Sequence, residues 1–396
     1  MMFKIPIIGS SIEPSDIAYA FAGIFDAEAL PAFAESLSKF YSGRDIFLLD
    51  SGVSCLEVIL RCLKEDRAGN EVIIPAYAPM VIIDTVLRCG LKPVLCDISV
   101  STFNCSYDLL LKKVSEKTLL VLAVHMFGMT MEGIDKLGAL LPAGVYLVED
   151  CAQSMGSSFR GKQSGTFSDA SFFSFGRGKN ISLCAGGFIA SGNKGLSGKI
   201  KKYLFSLKAP GGLKQLSWFV SALSVTIVVN PMVYGLMHSY TKRFKEKKHY
   251  GSSGCLKFTP PQSRLGLRLF LRKDDIFLKR YANGVFLLKN IEAAQGLVTP
   301  VIEEGAYPVF NRLPVILNDP DKLGFIKARL WDAGIESSSL YDMPLHHIFN
   351  LGYNREDFPM ACFLARGLLT LPIYPGIKIE YLIKAAEVIK KYAGGK

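Results

Sequence analysis

Short apolar runs alternate with amphipathic stretches between residues 46 and 190, and this alternation restricts the possible folds more than any other feature of the sequence. The apolar runs predict strands buried on both faces, at 46–49, 72–74, 93–96, 119–124, 145–148, 170–175 and 187–190. Helix-like stretches separate several of them, at 55–64, 81–89 and 107–114. The pattern is typical of an α/β fold with a mostly parallel sheet, here seven-stranded, that helices cover on both faces. Ligands of such sheets bind at the carboxyl ends of the strands.

A different pattern begins after Gly305. We predict a strand at 307–317 and helices at 321–333, 358–368 and 379–392, preceded by one long helix at 265–291. The 396 residues of the chain exceed the roughly 250–300 at which a single core stops growing. We therefore predict a large domain over residues 1–300, with an apolar insertion near 205–250, and a small C-terminal α/β domain over residues 301–396.

Charge and cysteine content exclude several classes of protein. Lys and Arg outnumber Asp and Glu by 46 to 35, yet charged residues make up only 20% of the chain and hydrophobic ones 49%, which excludes a disordered or coiled-coil chain. The densest basic run is a single cluster at 242–248, so we expect no nucleic-acid partner. The nine cysteines show no metal-binding spacing, and the first ten residues resemble no signal peptide. We expect free thiols, no metal, and a cytoplasmic location.

Three polar segments each follow a predicted strand. The strand at 145–148 leads into Asp150, and Lys179 comes shortly after the strand at 170–175. Residues 50–55 lie between a strand and a helix, where backbone N–H groups and the helix dipole favour a phosphate. An amine, a carboxylate and a phosphate-binding helix end are the parts that a pyridoxal phosphate (PLP) enzyme needs. A strand-end acid or a lone lysine has an ordinary structural explanation by itself, but their order along the chain favours this cofactor.

The same segments resemble a known family. Residues 148–154 (VEDCAQS) resemble the acid-Ala-Ala-Gln/His signature of the DegT/StrS group of fold type I sugar aminotransferases. The segment from Ser174 through Lys179 to the pair Gly186 and Gly187 resembles that group's Schiff-base segment at matching spacing. Other matching segments lie at 73–77, 92–97, 125–128, 333–335, 344–346 and 371–372. The resemblance covers nearly the whole chain apart from about 195–250.

This resemblance implies roles for individual residues. Lys179 would form the Schiff base with PLP and move the proton, and Asp150 would keep the pyridinium nitrogen protonated. The other cofactor-binding residues that it implies are Gly52, Val53, Ser54, Tyr77, Gln153 and Ser174. Substrate contacts are expected from Lys257, Arg312, Tyr341 and His346. Because a sister branch with His at the Schiff-base position catalyses dehydration, Lys179 favours transamination.

The resemblance also implies a substrate class and an assembly. We expect an amino group to pass from an amino acid such as glutamate to a nucleotide-linked keto-sugar, in polysaccharide or cell-surface glycan biosynthesis. The family pattern implies a homodimer whose two subunits share the active site.

Several positions depart from the family pattern. Val53 stands where the family has Thr, and Pro79 where an aromatic residue stacks on the ring, so that Tyr77 is the substitute. Ala185 replaces an acid, and Cys255 replaces the Asn that reaches the partner's phosphate. These losses support an alternative, a membrane-associated or catalytically degenerate relative with a structural or regulatory role.

Residues 216–237 carry no charge in a chain whose mean hydropathy is +0.26. About 20 apolar residues suffice to span a bilayer, but Asn230 and Pro231 interrupt a helix here. Three interpretations stay open: a buried core or dimer hairpin, a patch that lies against lipid, and a re-entrant or spanning element. Because the basic run at 242–248 would meet anionic headgroups, we expect peripheral contact with the inner face of the membrane through 216–248.

Overall fold

A computed structural model describes residues 3–24, 26–65, 69–237 and 254–394. The strands of its first half are β1 (Asp45–Leu49), β2 (Glu71–Pro75), β3 (Lys92–Cys96), β4 (Thr118–Val124), β5 (Tyr146–Asp150), β6 (Ser158–Phe159), β7 (Lys162–Gln163), β8 (Ala170–Ser174) and β9 (Gly187–Ser191). Seven of them form one sheet in the order β1-β9-β8-β5-β4-β2-β3. The seven strands predicted from the apolar runs, and the mostly parallel sheet, are confirmed.

Within this sheet β9 runs antiparallel to both of its neighbours, β1 and β8. The pairs β8-β5, β5-β4, β4-β2 and β2-β3 are parallel. Strand β1 therefore points in the same direction as β5 and β8, and the carboxyl ends of these three strands lie at the same edge. Asp150 and Ser174, the last residues of β5 and β8, and Asp50, which follows β1, share that edge.

Nine helices of the described residues belong to the first part of the chain. They are α1 (Pro14–Phe21), α2 (Ala29–Phe40), α3 (Gly52–Lys64), α4 (Met80–Arg88), α5 (Tyr107–Leu111), α6 (Ile134–Leu140), α7 (Lys194–Phe205), α8 (Gly212–Val228) and α9 (Pro231–Met237). Helix α3 is buried along most of its length, as expected for a helix that packs on a sheet. A cluster rich in aromatic residues, in which the Phe173 and Phe188 rings stack 4.3 Å apart, fills the space on the β8 and β9 side.

The remaining elements build the small C-terminal part and its connection. They are α10 (Pro260–Phe270), α11 (Lys273–Ile291), β10 (Leu297–Val298), β11 (Ala306–Tyr307), β12 (Leu313–Leu317), α12 (Lys322–Asp332), α13 (Leu345–Ile348), α14 (Pro359–Gly367), β13 (Leu368–Leu371) and α15 (Ile379–Tyr392). Strands β10, β12 and β13 form a three-stranded sheet. The helix predicted at 379–392 is confirmed, and those predicted at 321–333 and 358–368 are each one residue shorter at both ends.

Two sequence predictions for this region are wrong in detail. The single helix predicted at 265–291 is two helices, because the backbone leaves the helical conformation at Arg272, whose side chain binds Asp16 and Glu13 of the N-terminal segment. The strand predicted at 307–317 is divided as well, because β11 pairs with β6 of the large domain while β12 pairs with β13.

The domain boundary after residue 300 stays a prediction. Strand β10 begins at Leu297 and pairs with β12, so the small sheet takes up residues slightly before that boundary. Near the other end of the chain, Ile5 bridges to Ile335. The first residues of the chain therefore contact the C-terminal part.

The uncharged stretch folds as helices α8 and α9, which are bent by 103° at the break before Pro231. Among the described residues, no single helix has the length and apolar content needed to cross a membrane, whereas this bent pair passes that test when its two helices are taken together. The predicted interruption at Asn230 and Pro231 is confirmed. The basic run at 242–248 lies outside the described residues.

Candidate active site

Asp150 is the last residue of β5 and is only 4% exposed. Its Oδ1 accepts a hydrogen bond of 2.9 Å from the N–H of Ala152. Burial raises the pKa of the Asp150 carboxyl, while the Ala152 hydrogen bond and the positive charge of Lys179 act in the opposite direction. The carboxyl of Asp150 is therefore held in one orientation at the edge of the sheet, within electrostatic range of Lys179.

Lys179 lies on the link between β8 and β9. Its own N–H donates to the carbonyl of Gly176 at 3.2 Å, and its carbonyl accepts from Nη2 of Arg280, also at 3.2 Å. The next residue, Asn180, donates from Nδ2 to the carbonyls of Met155 and Val309. These bonds fix the backbone that carries the lysine from both sides.

The start of helix α3 lies beside the end of β8. A Cβ placed on Gly52 would lie 3.0 Å from the Cβ of Ser174, and one placed on Gly187 only 2.7 Å from the backbone nitrogen of Gly52. Gly186 has a φ of +109°, a conformation that favours glycine. The start of α3, the end of β8 and the start of β9 therefore meet at one place. There the first N–H groups of α3 have no partner within the helix. Such a helix end is an anion site.

Asp50 introduces a negative charge next to that anion site. Its Oδ1 accepts from Ser54 Oγ at 2.7 Å and from the N–H of Leu256 at 3.1 Å, while its Oδ2 pairs with Nζ of Lys214 at 3.1 Å. Ser51 caps the helix by accepting from the N–H of Ser54 at 3.0 Å. Because Asp50 is paired, its charge is largely compensated at the helix end.

Gln153 supports the loop that follows β4. Its Oε1 accepts from the N–H of Phe127 at 3.1 Å, and its Nε2 lies 3.6 Å from the sulfur of Met126. Phe127 adopts the left-handed conformation, with a φ of +60°. Gln153 thus holds a strained turn next to Asp150, which is compatible with the expected position near the cofactor.

Tyr77, Tyr341 and Arg312 form a second group between the large and small parts. The hydroxyl of Tyr77 donates to the carbonyl of Tyr341 at 3.1 Å, and the two rings lie 5.6 Å apart. Burial lowers the pKa of Arg312, while Tyr341, Glu336 and Tyr77 act to raise it. In the described part of the chain, Nε of Arg312 has no hydrogen-bond partner. Tyr77 therefore connects the two domains directly.

His346 makes its contacts within the small part. Its ring lies 5.1 Å from the ring of Phe358, and its Nε2 lies 3.4 Å from the carbonyl of Arg355 and 3.8 Å from the sulfur of Cys362. Burial lowers the pKa of His346. These contacts give His346 a structural role, and its contact with substrate stays a prediction.

Lys257 belongs to a segment that runs along the large domain of its own chain. It bridges to Leu49 at the end of β1, and its N–H donates to the carbonyl of Lys208. Cys255, one of the departures from the family pattern, places its sulfur 3.9 Å from the carbonyl of Ser54. The segment therefore lies beside the start of α3, where the resemblance leads us to expect a phosphate.

Sequence reasoning missed the residues that support Lys179, namely Arg280, Asn180 and Asn311. Arg280 is 3% exposed, and burial, together with the charge of Arg312, lowers its pKa to about 10. Asn311 donates from Nδ2 to the carbonyl of Gly178. The only sequence signal for Arg280 was a charged residue in an otherwise buried row of α11.

A cavity of about 430 Å³, lined by Arg44, Ser168, Asp169 and Asn193 among others, lies elsewhere. Asp169 precedes β8, so this cavity opens at the amino end of that strand. Because parallel sheets bind their ligands at the carboxyl ends, it does not belong to the site built around Asp150 and Lys179.

Comparison with known proteins agrees with this geometry. The model of the DegT/DnrJ/EryC1/StrS aminotransferase family matches residues 25–390. A UDP-N-acetyl-3-dehydro-alpha-D-glucosamine 3-aminotransferase of Acidithiobacillus ferrooxidans is 24% identical over 87% of this chain and 83% of its own. GDP-perosamine synthase of Vibrio cholerae is 32% identical over 40% of this chain and 43% of its own. The Helicobacter pylori aminotransferase PseC shares the fold with a TM-score of 0.79 and 18% identity, covering 98% of this chain and 99% of its own.

The fold, with a lysine and a carboxyl at the carboxyl edge of a seven-stranded sheet, defines a PLP-dependent aminotransferase of fold type I. The match over nearly the whole chain is more specific. The chain belongs to the DegT/DnrJ/EryC1/StrS aminotransferase family.

Proposed function

We propose that this protein transfers the amino group of an amino acid such as glutamate to a nucleotide-linked keto-sugar, in the biosynthesis of a polysaccharide or cell-surface glycan. The observation that carries the proposal is the convergence of Lys179, Asp150 and the start of α3 at one edge of the sheet. The names of two relatives, a GDP-perosamine synthase and a UDP-linked sugar 3-aminotransferase, support a nucleotide-linked sugar.

The residues present fit PLP. The close approach of Gly52 to Ser174 leaves backbone N–H groups and a hydroxyl side by side, as a phosphate requires. Asp150 uses Oδ1 for the Ala152 hydrogen bond, and a carboxylate has further acceptor positions for a protonated ring nitrogen. We therefore infer that Gly52, Val53, Ser54 and Ser174 hold the phosphate, that Asp150 holds the ring nitrogen, and that Lys179 binds the aldehyde.

When bound, PLP supplies an electron sink that lets a Cα–H bond of the amino donor break. Lys179 Nζ takes up the proton that the donor loses at Cα, which requires a neutral amine. The bonds from Arg280 and to Gly176 hold the lysine backbone while its side chain moves.

Asp150 keeps a proton on the ring nitrogen by remaining ionised beside it. Burial acts against ionisation, whereas the Ala152 N–H and a nearby positive charge act for it. A cationic ring nitrogen would add a further positive charge that favours the ionised carboxylate. Binding of the cofactor and ionisation of Asp150 therefore reinforce each other.

Arg312 lies where an anionic group of a substrate would be attracted. The charge of Arg312 helps to lower the pKa of Arg280, and among the described residues neither Nε atom has a hydrogen-bond partner. We infer that Arg312 contacts the carboxylate of the amino donor and that Tyr341 borders the same space.

We further propose that the enzyme works in the cytoplasm as a homodimer with a shared active site. The family resemblance supports this assembly and assigns the segment of Lys257 to the subunit contact; in the single chain, this segment lies beside β1 and the start of α3. Size-exclusion chromatography with light scattering would measure the mass, and a monomer that is fully active would contradict the shared site.

A substrate screen tests the function directly. Purified protein with PLP is incubated with isotopically labelled glutamate and a panel of nucleotide-linked keto-sugars, and mass spectrometry detects the labelled amino sugar. We expect label in at least one sugar and none with Lys179→Ala. No transfer to any sugar by cofactor-loaded protein would contradict the proposal.

A further inference from the structure

Helix α8 has an exposed apolar stripe. Leu216, Val220, Leu223 and Ile227 are each between 49% and 60% exposed, and Leu213, one turn earlier, is 86% exposed. Their spacing of three and four residues places them on one face of the helix. After the bend, Leu236 of α9 is another exposed apolar residue, at 64% exposure.

The opposite face of α8 is packed onto the protein next to the candidate active site. Trp218 is 8% exposed and donates from its indole nitrogen to the carbonyl of Leu183 at 2.7 Å. Arg177, two residues before Lys179, donates to Ser221 Oγ at 2.6 Å. The helix is thus anchored through its inner face, and packing among the described residues does not account for the outer stripe.

The surrounding sequence is strongly basic. The chain contains no Asp or Glu between Asp169 and Glu246, while Lys and Arg recur throughout that interval. Lys208 and Lys214 flank the start of α8, and Lys208 is exposed. The basic run at 242–248 follows α9 in the sequence. An apolar stripe with cationic flanks is complementary to a surface that is apolar inside and anionic outside.

We propose that the outer stripe of α8, together with α9, docks onto an anionic lipid bilayer and lies in its headgroup region without crossing it. The apolar side chains enter the boundary of the acyl chains, and the exposed Lys208 contacts the headgroups. Because the inner face contacts Leu183 and Arg177, docking brings the link that carries Lys179 close to the membrane surface.

A second copy of this chain is the competing occupant. In a two-fold symmetric dimer the same patch faces itself, so lysines near the patch would approach lysines. Asp50 compensates Lys214, but the interval that contains the patch has no acidic residue to compensate Lys208. Anionic headgroups remove this repulsion, which is why charge favours lipid over self-association.

Flotation with vesicles tests the proposal. We expect the purified full-length protein to float with phosphatidylglycerol vesicles at low salt, to bind phosphatidylcholine vesicles much less, and to be partly released as salt shortens the Debye length below about 10 Å. The double substitution Leu216→Glu with Leu223→Glu should reduce the bound fraction roughly tenfold or more, because it removes apolar contact and adds repulsion.

The matched control is Leu271→Glu with Leu278→Glu, which changes two leucines at the same spacing, 81% and 58% exposed, outside this stripe. It should float like the wild type. If circular dichroism shows that the Leu216→Glu with Leu223→Glu variant does not fold, the Leu216→Gln with Leu223→Gln variant replaces it. Wild-type protein that ignores anionic vesicles at low salt overturns the proposal. The proposal is also overturned if the wild-type protein does not bind vesicles but self-associates, and if the Leu216→Glu with Leu223→Glu variant alone abolishes that self-association.

Discussion

His125 Nε2 lies 3.0 Å from Glu149 Oε2, and both side chains are completely shielded from solvent. On its other side, His125 Nδ1 accepts from the N–H of Met131 at 2.9 Å. His125 therefore carries its proton on Nε2, and this N–H donates a hydrogen bond to Glu149. The pair ties the strand end that bears Asp150 to the turn that Gln153 supports.

The first prediction concerns Glu149→Gln. Burial raises the pKa of Glu149, but hydrogen bonds from His125, Ser168 and Gly165 outweigh it and leave the value below 4.5. A carboxyl with a lowered pKa stabilises the fold above its unfolded pKa, and this stability is lost as pH falls through the folded value. We expect the variant to lose on the order of 2 kcal/mol at neutral pH. Its melting temperature should also fall less than that of the wild type as the pH drops below about 5, where the unfolded carboxyl begins to take up a proton.

Glu35→Gln is the control for that measurement. Glu35 pairs with Lys39, but both side chains are well exposed, so solvent screens the interaction. The melting curve of this variant should follow that of the wild type across the pH range. A Glu149→Gln variant with an unchanged pH profile would show that the buried pair contributes nothing specific.

The second prediction concerns Lys179→Ala. Borohydride should fix cofactor covalently to the wild type and not to the variant, because only a Schiff base is reduced to a stable bond. The circular dichroism spectrum should stay the same, since backbone groups make the Arg280 and Gly176 bonds at this position. Lys208→Ala serves as the control and should still be labelled. Cofactor fixed to the Lys179→Ala chain at the same site would contradict the assignment.

The third prediction concerns Asp150→Asn. The amide keeps the shape and the hydrogen bond from Ala152 but loses the charge that holds a proton on the ring nitrogen. We expect PLP still to bind while the turnover number falls by roughly a hundredfold or more, the usual scale of proton control. Steady-state kinetics and an absorbance titration on the same preparation separate the two effects. Unchanged turnover would rule out the role.

A fourth prediction follows from the ion pair between Lys214 and Asp50. Lys214→Gln leaves the Asp50 carboxylate uncompensated beside the start of α3. The dissociation constant for PLP should rise by up to about fivefold, which corresponds to the ~1 kcal/mol limit of a partly exposed pair. Lys194→Gln, which removes a similar pair with Asp45 at the amino end of β1, should leave it unchanged. Equal effects of the two variants would exclude a specific contribution of Lys214.

The fifth prediction compares Arg312→Ala with His346→Ala. Arg312 Nε has no hydrogen-bond partner in the described part of the chain and lies near Tyr341, so we expect its loss to raise the Michaelis constant of the amino donor about tenfold or more. His346 contacts Phe358 and Cys362, so its loss should mainly lower the melting temperature. A raised Michaelis constant in His346→Ala, with normal stability, would instead make that histidine a substrate contact.

The sequence was sufficient for the large sheet because each of its strands is a continuous apolar run. It also singled out Lys179 and Asp150, because each lies at or after the end of such a strand, and their roles stay predictions. It did not predict the break at Arg272 or the support from Arg280, since both depend on partners far away in the chain, Asp16 and the carbonyl of Lys179. The apolar character of α8 was evident, but only the packing of Trp218 decides which face points outward.

The pairing of β1 with β9 has a consequence for the order in which the protein assembles. Strand β1 leads into Gly52, and β9 begins directly after the link that carries Lys179, so the site is complete only when residues 45–49 meet residues 187–191. Closing such a long stretch of chain loses entropy before the contact forms, which slows folding. During synthesis, the chain therefore becomes able to take up its cofactor only after β9 has left the ribosome, and shorter nascent chains are exposed to chaperones and proteases without that stabilisation.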